Sequence, residues 1–121
     1  MEQKRTLSLL VDNTPGLLSR VAGLFSRRGY NIETITAGVT ADPRYTRMTV
    51  VLYCSDEMIL EQIKKQLAKL VDVRDIKELK PDESVRRELM LVKIRVNENE
   101  RRNVIAISDV FRGRIVDLSL I

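Results

Sequence analysis

Residues 12–18 (Asp-Asn-Thr-Pro-Gly-Leu-Leu) combine small polar residues, a proline and a glycine immediately before an apolar helical pattern. Pro15 after a Thr or Asn cap predicts a helix N-terminus, whose first backbone N–H groups lack partners and attract anions. Gly16 would let a carboxylate approach that backbone closely, and the Asn13 amide can both donate and accept hydrogen bonds. The same residue types also form ordinary turns into helices, so both a carboxylate site and a plain turn remain open.

A second polar residue, Asn31, opens the next predicted strand and could lie near the helix start of a neighbouring subunit. Together with Asn13 and Gly16 it could hold both charged ends of a free amino acid. Leu17, Leu18 and Ile32 could then line a pocket for an apolar side chain. By itself, Asn31 is better explained as the first residue of a strand than as a ligand-binding residue.

Other chemistry has little support in the residue types. The chain has no histidine, which removes the usual general base, the Ser-His-Asp and Cys-His arrangements and most zinc sites. The acidic residues at 56–57 and 82–83 are adjacent in sequence and suit a helix start and a linker, and no glycine-rich phosphate loop occurs. Cys54 is the only cysteine, which favours a buried thiol in a reducing compartment. We therefore predict no catalytic residue and no metal site.

The charge pattern argues against a nucleic-acid partner, and the hydropathy pattern predicts a cytoplasmic protein without a membrane partner. The net charge is +4, from 21 basic and 17 acidic residues that are interspersed. Three arginine pairs have acidic neighbours and few aromatic residues for base stacking, so a solvated surface explains them better than phosphate binding. Arg44 and Arg47 flank Tyr45 in a predicted hairpin and could serve a partner surface or simply be exposed. No apolar run approaches the roughly 20 residues of a membrane span, and the apolar run near the N-terminus is too short for a signal peptide.

The elements that must position these residues follow from hydrophobic periodicity. Alternating patterns predict strands at 6–11, 32–39, 48–54 and 73–79. Helical spacing predicts one helix from Pro15 to Gly29 and a second that Ser55 caps, with Ile59, Ile63, Leu67 and Leu70 as its apolar stripe. The order βαββαβ predicts an α+β, ferredoxin-like fold with an antiparallel sheet. Its open face and edge strands are commonly covered by oligomerisation.

A polar, proline-containing segment divides the chain. We assign residues 1–80 to the first domain, 81–87 to a linker and 88–121 to the N-terminal half of a second ferredoxin-like domain. In that half, patterns predict a strand at 89–96, a helix at 101–111 and a strand at 114–121, which is a single βαβ unit.

Residues 10–18 (LVDNTPGLL), followed by 28–32 (RGYNI), resemble the ligand-binding signature of ACT domains, which are regulatory modules that bind amino acids. More specifically, the chain resembles the regulatory small subunits of acetolactate synthase, also called acetohydroxyacid synthase. The further matching stretches are 42–43 (DP), 47–49 (RMT), 62–67 (QIKKQL), 69–73 (KLVDV), 87–93 (RELMLVK) and 111–113 (FRG). The resemblance covers essentially the whole chain, but the family carries a complete second ferredoxin-like domain and this chain stops within it.

The resemblance implies a regulatory homodimer with no catalytic residue of its own. Such subunits dimerise through the ACT domain, bind valine or a related branched-chain amino acid at that interface, activate a catalytic large subunit and confer feedback inhibition. The effector residues carry over to Asn13, Gly16 and Asn31, with Leu17, Leu18 and Ile32 as neighbours. Thiamine diphosphate, magnesium and FAD belong to the catalytic subunit, so no cofactor is expected in this chain.

Three alternatives remain. The first is an ACT-domain sensor of another amino acid that regulates a different enzyme or a transcription factor. The second is a nucleic-acid-binding ferredoxin-like protein, which the aliphatic strands around Leu9 and Val50 disfavour. The third is a small enzyme, which the absence of histidine disfavours.

Overall fold

The computed structural model describes residues 3–119 of the chain, which divide into two compact units. The first unit ends at Arg86 and the second begins at Arg87. The first unit contains β1 (Gln3–Asp12), α1 (Leu17–Arg27), β2 (Ile32–Val39), β3 (Tyr45–Cys54), α2 (Glu57–Ala68), β4 (Val73–Glu78) and a short 3₁₀ turn (Pro81–Glu83). The second contains α3 (Glu98–Val110). No helix within residues 3–119 has the length and apolar character needed to cross a bilayer.

The first unit is a four-stranded antiparallel sheet in the order β2-β3-β1-β4. This order confirms the predicted α+β, ferredoxin-like class. The central strands β1 and β3 alternate apolar and polar residues, so that one face of each can be buried. In their register Leu7 pairs with Val50 and Leu9 with Met48, and all four side chains are almost completely buried.

Both helices of the first unit contribute to the same core. The described residues with less than 2 % exposure are Phe25, Leu7, Leu9, Met48, Leu52, Leu60, Ile63, Leu67, Val11, Val21 and Val50. Each such side chain stabilises the fold by about 1.5–3 kcal/mol relative to an exposed position. The helical spacing of 60, 63 and 67 shows that α2 turns Leu60 inward, whereas the predicted Ile59 is 38 % exposed. The prediction for Ile59 was wrong because Leu60, and not Ile59, shares the buried face of α2 with Ile63 and Leu67.

Two helix starts also differ from the prediction. Helix α1 begins at Leu17, and Gly16 occupies the capping position in the left-handed region at φ 78°, so Pro15 lies in the preceding turn and not in the helix. Helix α2 is capped by Asp56, whose carboxylate accepts a hydrogen bond from the Met58 amide at 2.8 Å. Asp56, and not the expected Ser55, caps the helix because its carboxylate, one position later, reaches the unpaired Met58 amide of the first turn.

The second unit forms its helix but not its predicted strands. Helix α3 starts with a capping box between Asn97 and Glu100, three residues earlier than Arg101. The described residues of 89–96 and 114–121 form no strand, so both strand predictions are corrected there; residues 120–121 lie outside the described range. The physical reason is visible in the first unit, where β3 lies between β1 and β2. The two strands of a βαβ half are therefore not neighbours, and alone they have no hydrogen-bonding partner.

Candidate functional site

The turn between β1 and α1 ends in an open helix N-terminus. The Thr14 amide donates to the Asp12 carbonyl at 2.9 Å, and the Leu17 amide donates to Thr14 at 3.4 Å. No side chain caps the helix. Within residues 3–119, the backbone amides of Leu18 and Ser19 have no acceptor among the hydrogen bonds formed. Two unpaired donors at a helix start, next to a glycine without a side chain, can receive a carboxylate.

Asn13 joins this turn to the β2–β3 hairpin. Its backbone amide donates to the Arg44 carbonyl at 2.8 Å. Its side-chain Nδ2 donates to the Pro43 carbonyl at 3.2 Å, and its Oδ1 accepts from the Thr46 hydroxyl at 3.2 Å. The amide group therefore already binds the hairpin on both of its atoms. One Nδ2 hydrogen and one Oδ1 lone pair remain for a ligand.

Three arginine–aspartate pairs surround the same end of the sheet. Arg74 donates to both oxygens of Asp12 at 2.8 and 2.9 Å. The hydrogen bond from Arg74 lowers the pKa of Asp12, and that from Arg44 lowers the pKa of Asp42. The third pair joins Arg20 to Asp72 at 2.7 Å. All three carboxylates are therefore occupied by their arginine partners.

Sequence reasoning missed all three pairs, and the third shows why. Arg20 and Asp72 are separated by 52 residues and lie on α1 and in the turn before β4. No local pattern relates two positions so far apart. Only the packing of α1 against α2 and the pairing of β4 with β1 bring them together.

Of the remaining predicted site residues, Leu17 and Ile32 pack against the core, whereas Leu18 and Asn31 are exposed. Leu17 is 7 % exposed and belongs to the core, so it does not present a free pocket wall. Leu18 is 54 % exposed beside the open helix start. Asn31 is exposed, whereas Ile32 is half-buried and packs against the core.

Asn31 and Asn13 lie at opposite ends of the sheet within one chain. Ile32 pairs with Leu52, whereas Asp12 pairs with Tyr45, at the other end of β3. Seven residues of extended strand separate the two places, a distance of about 23 Å. A single chain therefore does not bring Asn31 to the helix start.

Further observations bear on the kind of chemistry available. Within residues 3–119, no three His, Cys, Asp or Glu side chains are grouped to hold a metal ion. Two open cavities of about 240 and 310 Å³ lie in the first unit, and neither is lined by a residue of the 12–18 turn.

Two family models match this chain. The model described as the AHAS small subunit-like ACT domain matches residues 7–75, and that described as the small subunit of acetolactate synthase matches residues 87–120. A probable acetolactate synthase small subunit of Methanothermobacter thermautotrophicus is 50% identical over 114 residues, which cover 93% of this chain and 67% of that protein. The acetolactate synthase isozyme 3 small subunit of Escherichia coli is 50% identical over 116 residues, covering 96% and 71%.

Solved structures agree. The crystal structure of the acetolactate synthase small subunit from Thermotoga maritima has a TM-score of 0.81 at 31% identity and covers 97% of this chain and 73% of that one. The ACT domain of the GTP pyrophosphokinase of Chlorobium tepidum has a TM-score of 0.56 at 16% identity, covering 65% and 100%, which shows the fold alone.

The sheet, the two helices and the glycine turn thus define a protein with an ACT domain. The fold is shared with the ACT domain of the Chlorobium tepidum GTP pyrophosphokinase, and the sequence matches over most of the chain narrow the class. The chain belongs to the acetolactate synthase small-subunit family. This membership supports a regulatory role.

Proposed function

We propose that this chain regulates acetolactate synthase by binding a branched-chain amino acid, valine first, between two copies of its first unit. In this proposal the ligand activates no chemistry in the chain itself. It changes how the chain acts on a catalytic large subunit in the cytoplasm, which the small subunit activates and makes sensitive to feedback inhibition. Family membership supports the partner, and the observation that carries the ligand site is the open helix start at Gly16.

The geometry of β2 supports a site shared by two chains. β2 is an edge strand, and its apolar residues Ile35 and Val39 are 37 % and 61 % exposed. Edge strands of this kind pair readily with another strand. In an antiparallel pair of two β2 strands, the beginning of one strand lies beside the end of the other. Asn31 of one chain would then come near the partner's helix start, which Asn31 cannot reach within its own chain.

Such an arrangement matches the groups of a free amino acid. The ligand's carboxylate would bind the open amides of Leu18 and Ser19. The amide of Asn31 from the other chain would accept from the ammonium group. A small branched side chain would contact the exposed Leu18 and cover apolar surface there.

Regulation then follows from linkage. An amino acid that bridges two chains stabilises one dimer arrangement over others, and that arrangement must differ in its effect on the catalytic subunit. Coupling free energies of this kind are typically about 1–3 kcal/mol and are reciprocal. The thiamine diphosphate, magnesium and FAD of the reaction belong to the catalytic subunit in this proposal, and this chain contributes no cofactor ligand.

A mixed-dimer experiment tests the shared site. Asn13→Ala and Asn31→Ala chains carrying two different purification tags are produced together, and the heterodimer is isolated. If each site uses Asn13 of one chain and Asn31 of the other, one site of the heterodimer has lost both residues and the other is intact. Calorimetry with valine should therefore show restored binding at half the normal stoichiometry.

The homodimeric variants are the controls, and both should bind valine weakly. A heterodimer that binds no better than they do would refute a site shared between Asn13 of one chain and Asn31 of the other. Titrations with leucine, isoleucine and a set of unrelated amino acids decide the ligand class. A chain that binds an unrelated amino acid and not valine would be a sensor of a different kind.

A further inference from the structure

Asp72 accepts three hydrogen bonds from residues in and around the β1–α1 turn. Its backbone carbonyl accepts from the Asp12 amide at 2.8 Å. One carboxylate oxygen accepts from the Thr14 hydroxyl at 3.3 Å. The other accepts from Arg20 Nε at 2.7 Å. With its side chain only 17 % exposed, Asp72 joins the end of a strand, a turn and a helix in one place.

Arg20 completes this arrangement on the other side of the turn. Its Nη2 donates to the Thr14 hydroxyl at 3.2 Å. Its Nη1 would lie 3.3 Å from a Cβ atom at Gly16, so the guanidinium lies directly against the glycine. The guanidinium fork binds two partners in fixed directions, which a flexible ammonium group cannot do.

These contacts are needed because the turn has little local support. Gly16 has a left-handed backbone and α1 has no side-chain cap. A glycine adopts many other conformations at little cost, so the direction of the Leu18 and Ser19 amides depends on what holds the turn from outside. The Arg20–Asp72 pair is the contact that reaches it from α1 and from the turn before β4.

We propose that Arg20 and Asp72 are positioning residues, which fix the 12–16 turn so that the helix amides are aimed at the ligand. This inference rests on the proposed function for its effect on valine. It further places the α2–β4 turn in direct contact with the β1–α1 turn that precedes the ligand site. Ligand occupancy and the position of that turn are therefore linked.

The test compares Arg20→Gln and Asp72→Asn with Arg20→Lys and a matched control. Glu57→Gln removes a carboxylate that also binds an arginine, Arg5, at 2.6 Å, but at the other end of the first unit. Hydrogen exchange at the Asp12 and Thr14 amides is measured on the full chain without ligand. Valine affinity and thermal unfolding are measured on the same samples.

We expect Arg20→Gln and Asp72→Asn to speed exchange at these amides about ten-fold, and to weaken valine binding by a similar factor, as for one lost charge-assisted hydrogen bond at a half-exposed position. Glu57→Gln should change neither the amide exchange nor the valine affinity, although its thermal midpoint should fall about as much as that of the Arg20 and Asp72 variants. Arg20→Lys should restore part of the affinity because it keeps the charge but not the fork.

Unchanged exchange in Arg20→Gln and Asp72→Asn would overturn the positioning role, whatever the chain binds. Faster exchange with unaltered valine affinity would also overturn it, because the turn would then not control the site. Absence of valine binding by the unaltered chain refutes the proposed function instead. In that case the exchange measurement alone decides whether the pair fixes the turn.

Discussion

Replacing Gly16 by aspartate should abolish valine binding while leaving the first unit folded. A side chain in the left-handed region costs about 1–2 kcal/mol, less for Asp than for most residues. The negative charge suits a helix N-terminus by about 0.3–1 kcal/mol, which offsets part of this cost. The new Cβ would lie 3.3 Å from Arg20 Nη1, a tight contact that the end of this flexible side chain can relieve by a small shift. We therefore expect a net change in unfolding free energy of about 1 kcal/mol or less.

The effect on the ligand is much larger. The new carboxylate would lie where the ligand's own carboxylate approaches the amides of Leu18 and Ser19. Two like charges about 4 Å apart near a protein surface repel by about 4 kcal/mol. This energy corresponds to an affinity loss of about a thousand-fold.

Calorimetry with valine and urea unfolding on the same variants measure both quantities. Gly16→Asn is the matched control for charge, because it has the same shape, tolerates the left-handed region and should retain part of the affinity. Gly23→Ala is the control for adding a side chain, since its Cβ meets nothing within 4 Å. It should stabilise the fold by about 0.4–1 kcal/mol. If Gly16→Asp bound valine as tightly as the unaltered chain, the ligand's carboxylate would not lie at this helix start.

Two further predictions concern the stability of the first unit. Leu9→Ala should lower the free energy of unfolding by about 2–5 kcal/mol in urea titrations, because Leu9 is fully buried on β1, between β3 and β4. The control Leu18→Ala, at a 54 % exposed position, should change the free energy of unfolding by about 0.5 kcal/mol or less. Equal losses in the two variants would contradict the assigned core. Because Arg74 lowers the pKa of Asp12 below its ordinary value of 3.8, this carboxylate stabilises the fold above that pH, and its contribution is lost as the pH falls further toward the lowered folded-state pKa. Asp12→Asn should therefore lower the urea midpoint at neutral pH and make its fall in acid less steep, whereas an unchanged acid profile would show that the pair contributes nothing.

Much of the first unit could be predicted because its elements depend on local pattern. The alternation in β1 and β3 and the helical stripes through Val21 and Ile63 are properties of short segments. A side chain's direction along a strand or helix is set by the backbone period, so the buried face follows from residue order. The errors at Pro15 and Ser55 were of one or two positions, where several neighbouring residues could begin the helix.

The second unit shows where such reasoning stops. The apolar run at 89–96 has the composition of a strand, yet its described residues form none. A strand pattern indicates only that a segment can pair, whereas pairing also needs a neighbouring strand at the right place in the sheet. Helix α3 forms as predicted because its hydrogen bonds lie within the segment itself.

The candidate site divides in the same way. The residue types of the 12–18 turn determined that a helix would start there with a flexible, approachable backbone, because glycine and the turn residues act locally. Only the tertiary structure decided that Leu17 turns into the core, that Asn31 lies at the far end of the sheet, and that Asp72 reaches the turn from 52 residues beyond Arg20. Those facts depend on which strands are neighbours and in which register, and no short segment of the chain contains that information.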